Sequence, residues 1–281
     1  MEYRLSDSDI ERLLEEDVPY GDLTTMLLGI GSVRGAIGFT SRERTVVCCT
    51  EEASRLLEHC GASVTHCLPS GTAAEAGTSL LTAAGTAGSL HAGWKAALNL
   101  LEYASGIATR TRLIVDRARS ARPGIAVVTT RKSFPGTKKV SIKAVMAGGA
   151  LPHRLGLSES VLVFRQHTAF LGSLTAFLES IPSLKDRLPE HRIIVEADTA
   201  EEALMIAASG ADVVQVDRMP PAELGTLVPE IRRRAPGVRI SAAGGINAEN
   251  AADYAATGVD ILVLSSVYFG KPADIAASIH P

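Results

Sequence analysis

The chain has 281 residues, of which 46% are hydrophobic and 21% charged, and its formal net charge at pH 7 is −3. This length and composition are those of an ordinary globular protein with one large domain or two modest ones. Aromatic residues make up only 4% of the chain, which argues against stacking platforms for single-stranded nucleic acid. The sequence contains neither an apolar run of about 20 residues nor the segments of a secretory signal. We therefore expect a cytoplasmic protein with no membrane or nucleic-acid partner.

The four cysteines do not form a recognisable metal or redox motif. They contain no C-x-x-C pair and have no histidines at the spacing of a zinc site, although two of them are adjacent: Cys48, Cys49, Cys60 and Cys67. We interpret all four as reduced, mostly buried thiols, and we predict no disulfide framework.

The first part of the chain is predicted to form a small mixed α/β layer. An amphipathic helix is predicted over residues 6–17, followed by a turn over residues 20–25. A second helix over residues 51–59 is predicted to end at Gly61. Strand-like runs of apolar or alternating residues lie within residues 33–49, 64–68 and 79–82.

A long helix is predicted over residues 91–119. Apolar residues recur there at helical spacing, so we interpret Trp94, the first of them, as part of the core. Gly106 interrupts the pattern and predicts a break in the helix.

After this helix, apolar strands alternate with helical segments. The later strands begin roughly 20 to 25 residues apart, which is the spacing of βα units in a parallel barrel. The count of six is short of eight, so a complete barrel is not predicted; the strands are expected at residues 125–130, 161–164, 193–196, 213–216, 239–242 and 261–264.

One long segment of the chain is free of acidic residues. Residues 117–158 contain no Asp or Glu but nine Lys or Arg, in a chain that has more acids than bases. Such a segment produces a local positive field that attracts anions. Turn residues, rather than helical spacing, separate its basic residues, which favours an anion pocket of strand ends and loops over a solvated basic face.

The residues that follow the predicted strands are charged in a regular order. In parallel barrels the functional residues lie at the carboxyl ends of the strands. Basic residues follow the first two strands, acidic residues the next two and a glycine pair the fifth, in the order Arg131 and Lys132, Arg165 and His167, Glu196 and Asp198, Asp217, Gly244 and Gly245. Backbone N–H groups of a glycine turn, with a helix N-terminus at Asn247, would suit phosphate.

Six motifs of the sequence recur together in one known family. They are GWKAALNLLEYASGIATRTR at 93–112, TTRKSFPGTKK at 129–139, GGALPHRLGL at 148–157, VEAD at 195–198, GADVVQVD at 210–217 and AAGGI at 242–246. Over nearly the whole chain the sequence resembles the quinolinate phosphoribosyltransferase, or nicotinate-nucleotide pyrophosphorylase, family, and within it the molybdenum-locus branch. The resemblance implies the α/β type II phosphoribosyltransferase fold. In that fold an N-terminal α/β sandwich (residues 1–106) precedes an incomplete seven-stranded α/β barrel (residues 107–281), whose last segment could pack back on the first domain.

The resemblance also implies an activity. A pentosyltransferase of this family would transfer phosphoribose from phosphoribosyl pyrophosphate to a small heteroaromatic acid or related acceptor, with Mg²⁺ as cofactor. It would work as a homodimer in which the N-terminal region of one subunit completes the site of the other. The branch further implies a link to molybdenum utilisation.

Site residues follow from the resemblance position by position. It implies that Lys132, Glu196 and Asp217 act in catalysis, the last two also as ligands of the metal. Substrate-binding positions are Lys95, Arg131, His153, Arg154 and Arg165, and phosphate-binding positions are Gly244, Gly245 and Ser265. These roles agree with the charge pattern, because a carboxylate near the ribose stabilises positive charge that develops as pyrophosphate departs. Mg²⁺, in turn, prefers carboxylates and substrate phosphates as ligands.

The sequence departs from the family pattern at several of these positions. Lys95 replaces an arginine, Phe164 replaces a site lysine and Arg165 replaces an acid, while Ser265 and Phe269 replace a glycine and a histidine. In a strand, Arg165 would face away from Phe164. We therefore expect the phosphoribosyl donor to be retained and quinolinate to be a poor acceptor.

Two other functions remain open from the sequence. A different phosphate-handling barrel enzyme, such as an aldolase or epimerase, would need a Schiff-base lysine or an acid/base pair at the strand ends, and Lys132 is the one lysine at a predicted strand end. A non-catalytic oxyanion-binding accessory of molybdate uptake would use the same cations but would leave Glu196 and Asp217 unexplained.

Overall fold

The computed structural model describes residues 3–281, and the chain divides into two compact units. The first unit comprises Met1–Arg112, Phe134–Gly149 and Val267–Pro281, and the second comprises Leu113–Ser133 and Ala150–Ser266. Each unit is therefore built from segments that are not contiguous in sequence.

The described strands are β1 (Arg34–Ser41), β2 (Thr45–Val46), β3 (Ser63–Cys67), β4 (Ala73–Ala74), β5 (Ser79–Thr86), β6 (Ala126–Thr129), β7 (Leu151–Pro152), β8 (Val161–Val163), β9 (Ile193–Ala197), β10 (Val213–Asp217), β11 (Arg239–Ala243), β12 (Ile261–Leu264) and β13 (Ile275–His280). The helices are α1 (Asp7–Asp17), α2 (Leu23–Leu27), α3 (Thr50–His59), α4 (Ala87–Ala121), α5 (Lys138–Ala147), α6 (Arg165–Thr168), α7 (Leu174–Arg187), α8 (Ala200–Ala208), α9 (Pro221–Arg234) and α10 (Ala251–Ala256).

The first unit contains a four-stranded antiparallel sheet in the order β13-β1-β5-β3. One of its two central strands, β1, turns Ile37 and Phe39 into the core, where both are almost completely buried. Helix α3 packs on this sheet and against α1, and its Leu56 and Leu57 are also fully buried. The alternation of β1 and the helical spacing of α3 are the periodicities that bury one face of each element.

Three predictions for this unit are corrected. Trp94 is not part of the core, because its side chain is 38% exposed. The residues after α1 do not form only a turn, because Asp22 caps the short helix α2 by accepting hydrogen bonds from the backbone N–H groups of Thr24 and Thr25. Helix α4 is continuous through Gly106. A Cβ at this position would lie 2.9 Å from the carbonyl oxygen of Lys271, so the glycine serves the close approach of another backbone segment rather than a break.

The second unit contains a seven-stranded parallel sheet in the order β7-β6-β12-β11-β10-β9-β8. The order leaves β7 and β8 as edges, so the sheet is an incomplete barrel, as expected. Strand β7 was not predicted from the sequence, because Leu151–Pro152 is too short to show a period and contains a proline. Proline is tolerated there since β7 is an edge strand.

Two global expectations can be compared with the structure. None of the helices in the described part of the chain combines the length and apolar character that a bilayer crossing requires. The four cysteines are free thiols, of which Cys48 and Cys49 are buried and Cys60 and Cys67 are partly exposed.

Candidate active site

The carboxyl edge of the parallel sheet collects most of the predicted site residues. Because all seven strands run in the same direction, the residues at and after their carboxyl ends lie at one edge. This edge carries Arg131 and Lys132 after β6, His153 and Arg154 after β7, Arg165 after β8, Glu196 on β9, Asp217 on β10, Gly244 and Gly245 after β11, and Ser265 after β12.

The two carboxylates lie on neighbouring strands. Glu196 on β9 is paired in register with Gln215 on β10, two residues before Asp217. Burial raises the pKa of Glu196, and the nearby charges of Asp217 and Asp198 raise it further. The hydrogen bond from Gln215 and the charge of Lys132 act in the opposite direction. The charges of Asp217 and Lys132 are therefore both close enough to act on Glu196.

Three basic residues form a second group. Arg154 is only 9% exposed, and its guanidinium donates to the carbonyl oxygen of Ser160 over 3.4 Å. Burial lowers the pKa of Arg154, and the like charge of Arg131 lowers it further. Burial and the neighbouring Arg154 lower the pKa of His153 in the same way. Basic groups that disfavour one another's charge are stabilised by an anion, so the arrangement suits a carboxylate or a phosphate.

The glycine turn after β11 is a close-packed element. Gly244 and Gly245 both have a positive φ, at 84° and 71°. A Cβ on Gly244 would lie 2.7 Å from Oδ1 of Asp217 and 2.9 Å from the backbone nitrogen of Arg218. Glycine is thus required where this turn meets the end of β10. After the next strand, the hydroxyl oxygens of Ser265 and Thr130 lie 2.8 Å apart.

The expected helix N-terminus at Asn247 is corrected. Asn247 begins a turn in which its side-chain oxygen accepts from the N–H groups of Glu249 and Asn250, and α10 starts only at Ala251. Asparagine favours such side-chain-to-backbone bonds over a helical start. The backbone groups of the glycine turn, rather than a helix dipole at Asn247, are the elements available to a phosphate.

The expected arrangement of Phe164 and Arg165 is also corrected. Strand β8 ends at Val163, and Arg165 is the first residue of α6, so strand alternation no longer separates the two side chains. Both line a cavity of about 280 Å³ that Glu196 and Asp198 also line. The ring of Phe164 stacks on His167 with centroids 5.7 Å apart. Arg165 is largely exposed, with its guanidinium 3.8 Å from Asp198.

Three of the lysines in the first unit bear on the predicted site. Lys95 lies exposed on α4, and its substrate-binding role stays a prediction. Lys139 and Lys143, from the acid-free segment, bind carboxylates: Lys139 Nζ lies 2.6 Å from Asp9, and Lys143 Nζ lies 2.9 Å from Glu51 and 2.5 Å from Glu52. The acid-free segment is therefore not a single anion pocket, since acids from elsewhere in the chain neutralise part of it.

Gln215 is a site residue that the sequence analysis missed. It lies in the middle of β10 and is only 4% exposed, and its Nε2 donates to Oε2 of Glu196 over 2.8 Å. The available signal was a single amide among the valines of residues 213–216, because a buried strand otherwise carries aliphatic residues.

Comparison with known proteins places the chain in a family. Residues 22–105 match the model of the quinolinate phosphoribosyl transferase N-terminal domain, and residues 107–276 match that of its C-terminal domain. The "Putative pyrophosphorylase ModD" of Rhodobacter capsulatus is 42% identical over 250 residues, covering 89% of this chain and 96% of the relative. The nicotinate-nucleotide pyrophosphorylase [carboxylating] of Mycobacterium leprae is 31% identical over 271 residues, covering 95% and 94%. The crystal structure of nicotinate-nucleotide pyrophosphorylase from Ehrlichia chaffeensis superposes with a TM-score of 0.88 at 25% identity, covering 99% of this chain and 100% of that one.

Proposed function

The chain belongs to the quinolinate phosphoribosyltransferase family, and from this membership we propose that it is a pentosyltransferase that acts on phosphoribosyl pyrophosphate. It would transfer the phosphoribosyl group to a ring nitrogen of a small heteroaromatic acceptor and release pyrophosphate. We also propose that it acts in the cytoplasm, which its free thiols favour, and that it is linked to molybdenum utilisation, as its resemblance to the molybdenum-locus branch suggests.

The observation that carries this proposal is the separation of charge among the residues at the carboxyl ends of the parallel strands. Glu196 and Asp217 lie on the adjacent strands β9 and β10, whereas Arg131 follows β6 and both His153 and Arg154 follow β7. The donor requires both kinds of group, because its phosphates are anionic while its ribose becomes positive as pyrophosphate leaves. The cations would therefore hold anionic groups of the substrates, and the carboxylates would stabilise the ribose.

The remaining site residues fit the same reaction. The charge of Lys132 lowers the pKa of Glu196. This ammonium group would bind the donor and stabilise the negative charge of the departing pyrophosphate. The backbone of Gly244 and Gly245 would approach phosphate oxygens, with the hydroxyl of Ser265 beside them. Exclusion of water by the buried strand ends would strengthen each of these contacts.

Glu196 and Asp217 would also hold Mg²⁺. Among the described residues no group of three potential metal ligands is preassembled. Two carboxylates that repel one another fit this ion nonetheless, since Mg²⁺ commonly takes one or two carboxylates and completes its shell with water and substrate phosphates. When bound, the ion would neutralise charge on the pyrophosphate.

We further propose a homodimer with shared active sites. The first unit exposes apolar side chains on and next to α2. Tyr20 is 97% exposed, Leu27 is 75% exposed and Met26 is 67% exposed. Exposed apolar residues in such a group favour a protein interface. A second subunit is the partner that the family resemblance implies, with Lys95 as the residue contributed to the neighbouring site.

Pyrophosphate release provides the test. Purified protein should release pyrophosphate from phosphoribosyl pyrophosphate only when a suitable heteroaromatic acceptor and Mg²⁺ are both present. A protein that binds molybdate tightly but neither binds the donor nor releases pyrophosphate with any acceptor would instead support the oxyanion-binding function. Glu196 and Asp217 argue against that outcome, because carboxylates repel oxyanions.

A further inference from the structure

Arg218 has a backbone conformation that is uncommon for its residue type. It directly follows Asp217 at the end of β10, and its φ of 55° lies in the left-handed region. Among the described residues, Cys49 is the other non-glycine residue with a positive φ. Residues other than glycine and asparagine are disfavoured in this region, because their Cβ crowds the backbone. The arginine is therefore held in a strained conformation, and strain of this kind concentrates at functional sites.

The surrounding contacts fix this conformation. The backbone N–H of Arg218 donates to the carbonyl oxygen of Ala243 over 2.8 Å, which extends the pairing of β10 with β11. The next residue, Met219, is only 5% exposed, so its packing constrains the backbone on the other side. A Cβ on Gly244 would collide with Cγ of Arg218, so the stem of the arginine lies against the glycine turn. The backbone thus directs a cation to the turn that is proposed to bind phosphate.

The guanidinium group of Arg218 also lies beside a proposed ligand of the metal. Its Nε is 3.5 Å from Oδ2 of Asp217, and the arginine side chain is 82% exposed. An ion pair with this much solvent exposure contributes little to stability, so it does not account for the strained backbone. The same exposure allows a ligand at the carboxyl end of β10 to reach the guanidinium.

We propose that Arg218 binds a phosphate group of the phosphoribosyl donor, at the point where that group contacts the turn of Gly244 and Gly245. This inference rests on the proposed phosphoribosyl transfer. The backbone N–H groups of the turn carry only partial positive charge, and the carboxylate of Asp217 beside them repels a phosphate. A guanidinium offsets this repulsion and can donate two parallel hydrogen bonds to phosphate oxygens. Arg218 is thus a donor-binding residue that takes no part in bond making.

Replacement by asparagine separates binding from folding. Asparagine tolerates a positive φ, so Arg218→Asn removes the charge without requiring a different backbone. We expect its Tm to equal or exceed that of the wild type, while calorimetry at millimolar Mg²⁺ gives a Kd for phosphoribosyl pyrophosphate about 10- to 100-fold higher. Arg218→Lys keeps the charge but loses the planar fork, and should give an intermediate Kd. Arg187→Asn, at an exposed position at the end of α7, is the control and should bind the donor normally.

Two fragments of the donor show which phosphate group is bound. Inorganic pyrophosphate and ribose 5-phosphate are titrated separately into the wild type and Arg218→Asn, and a loss of affinity for one fragment alone supports a direct contact and identifies the group. Equal losses for both fragments would indicate a general effect of net charge and would overturn the inference. Unchanged donor affinity in Arg218→Asn, or an equal loss in Arg187→Asn, would overturn it too while leaving phosphoribosyl transfer intact. Failure of the wild-type protein to bind the donor would instead overturn the proposed function itself.

Discussion

The ammonium group of Lys143 lies 2.5 Å from Oε2 of Glu52, and the two side chains are only 8% and 1% exposed. A second carboxylate, Glu51, accepts from the same ammonium group at 2.9 Å. Burial by itself lowers the pKa of Lys143, but the hydrogen bonds to Glu52 and Glu51 outweigh it and raise that pKa. The lysine therefore acts as a structural cation of the first unit.

Replacement of this lysine should destabilise the protein strongly. Lys143→Met leaves the buried Glu52 without its cation, and we expect the free energy of unfolding to fall by about 3 to 5 kcal/mol. Urea denaturation measures this change. Lys138→Met, at an exposed position of the same helix, is the matched control and should stay within about 0.5 kcal/mol of the wild type. Equal effects of the two substitutions would contradict the structural role.

Two helical glycines should respond oppositely to alanine. Gly225→Ala in α9 adds a Cβ with nothing within 4 Å, so better helix propensity should stabilise the protein by up to about 1 kcal/mol. Gly106→Ala in α4 places the same atom 2.9 Å from a backbone oxygen and 3.0 Å from a backbone nitrogen, and should destabilise it by about 1 to 3 kcal/mol. Thermal or urea unfolding of both variants measures these changes in the free energy of unfolding. Stabilisation by Gly106→Ala would show that the segment at residues 271–273 can move away.

The carboxylate of Asp217 should make donor binding depend on Mg²⁺. We expect calorimetry to detect phosphoribosyl pyrophosphate binding at millimolar Mg²⁺ and a large loss in EDTA. Asp217→Ala should weaken binding by about tenfold or more, since one charge-assisted contact is lost. Asp253→Ala, an exposed acid on α10, serves as the control and should bind normally. Equal affinity in EDTA would exclude the role of the metal.

Mixed dimers should recover activity if the sites are shared. Lys95→Ala and Arg131→Ala are each expected to be inactive, because each lacks one substrate cation. If Lys95 serves the neighbouring subunit, some mixed dimers contain one intact site, and mixing the two proteins should restore part of the pyrophosphate release. Lys95→Ala mixed with itself gives the baseline. No recovery, under conditions in which the subunits are seen to exchange, would mean that each site takes both residues from a single subunit.

Phe164 should limit the use of quinolinate. A lysine at this position would add a charge-assisted contact, so Phe164→Lys should raise kcat/KM for quinolinate about 10- to 150-fold. Phe170→Lys introduces the same charge at a position that is 92% exposed, and should have little effect. Steady-state kinetics with quinolinate provide the comparison. If quinolinate is already the best acceptor of the wild type and Phe164→Lys does not improve it, Phe164 is not the determinant.

Local periodicity predicted most of the second unit. Strands such as β9, β10 and β12 are apolar runs at the spacing of βα units, so their existence and parallel direction follow from burial on both faces. Because the strands are parallel, their carboxyl ends lie on the same side of the sheet, and this placed Glu196, Asp217 and the glycine turn together. Motif resemblance supplied the seven-strand count, which periodicity could not, since the two residues of β7 are too few to show a pattern.

The partners of individual side chains were decided only by tertiary structure. The charge count could not show that Lys139 and Lys143 are neutralised, because Asp9, Glu51 and Glu52 are distant in sequence. Helix propensity could not show why Gly106 is compatible with a continuous α4, since the reason is a backbone segment about 165 residues later. Nor could strand alternation place Arg165, because β8 ends one residue earlier than expected. Sequence alone determines which residues can be buried or charged, whereas contacts between distant segments determine which of those charges are compensated.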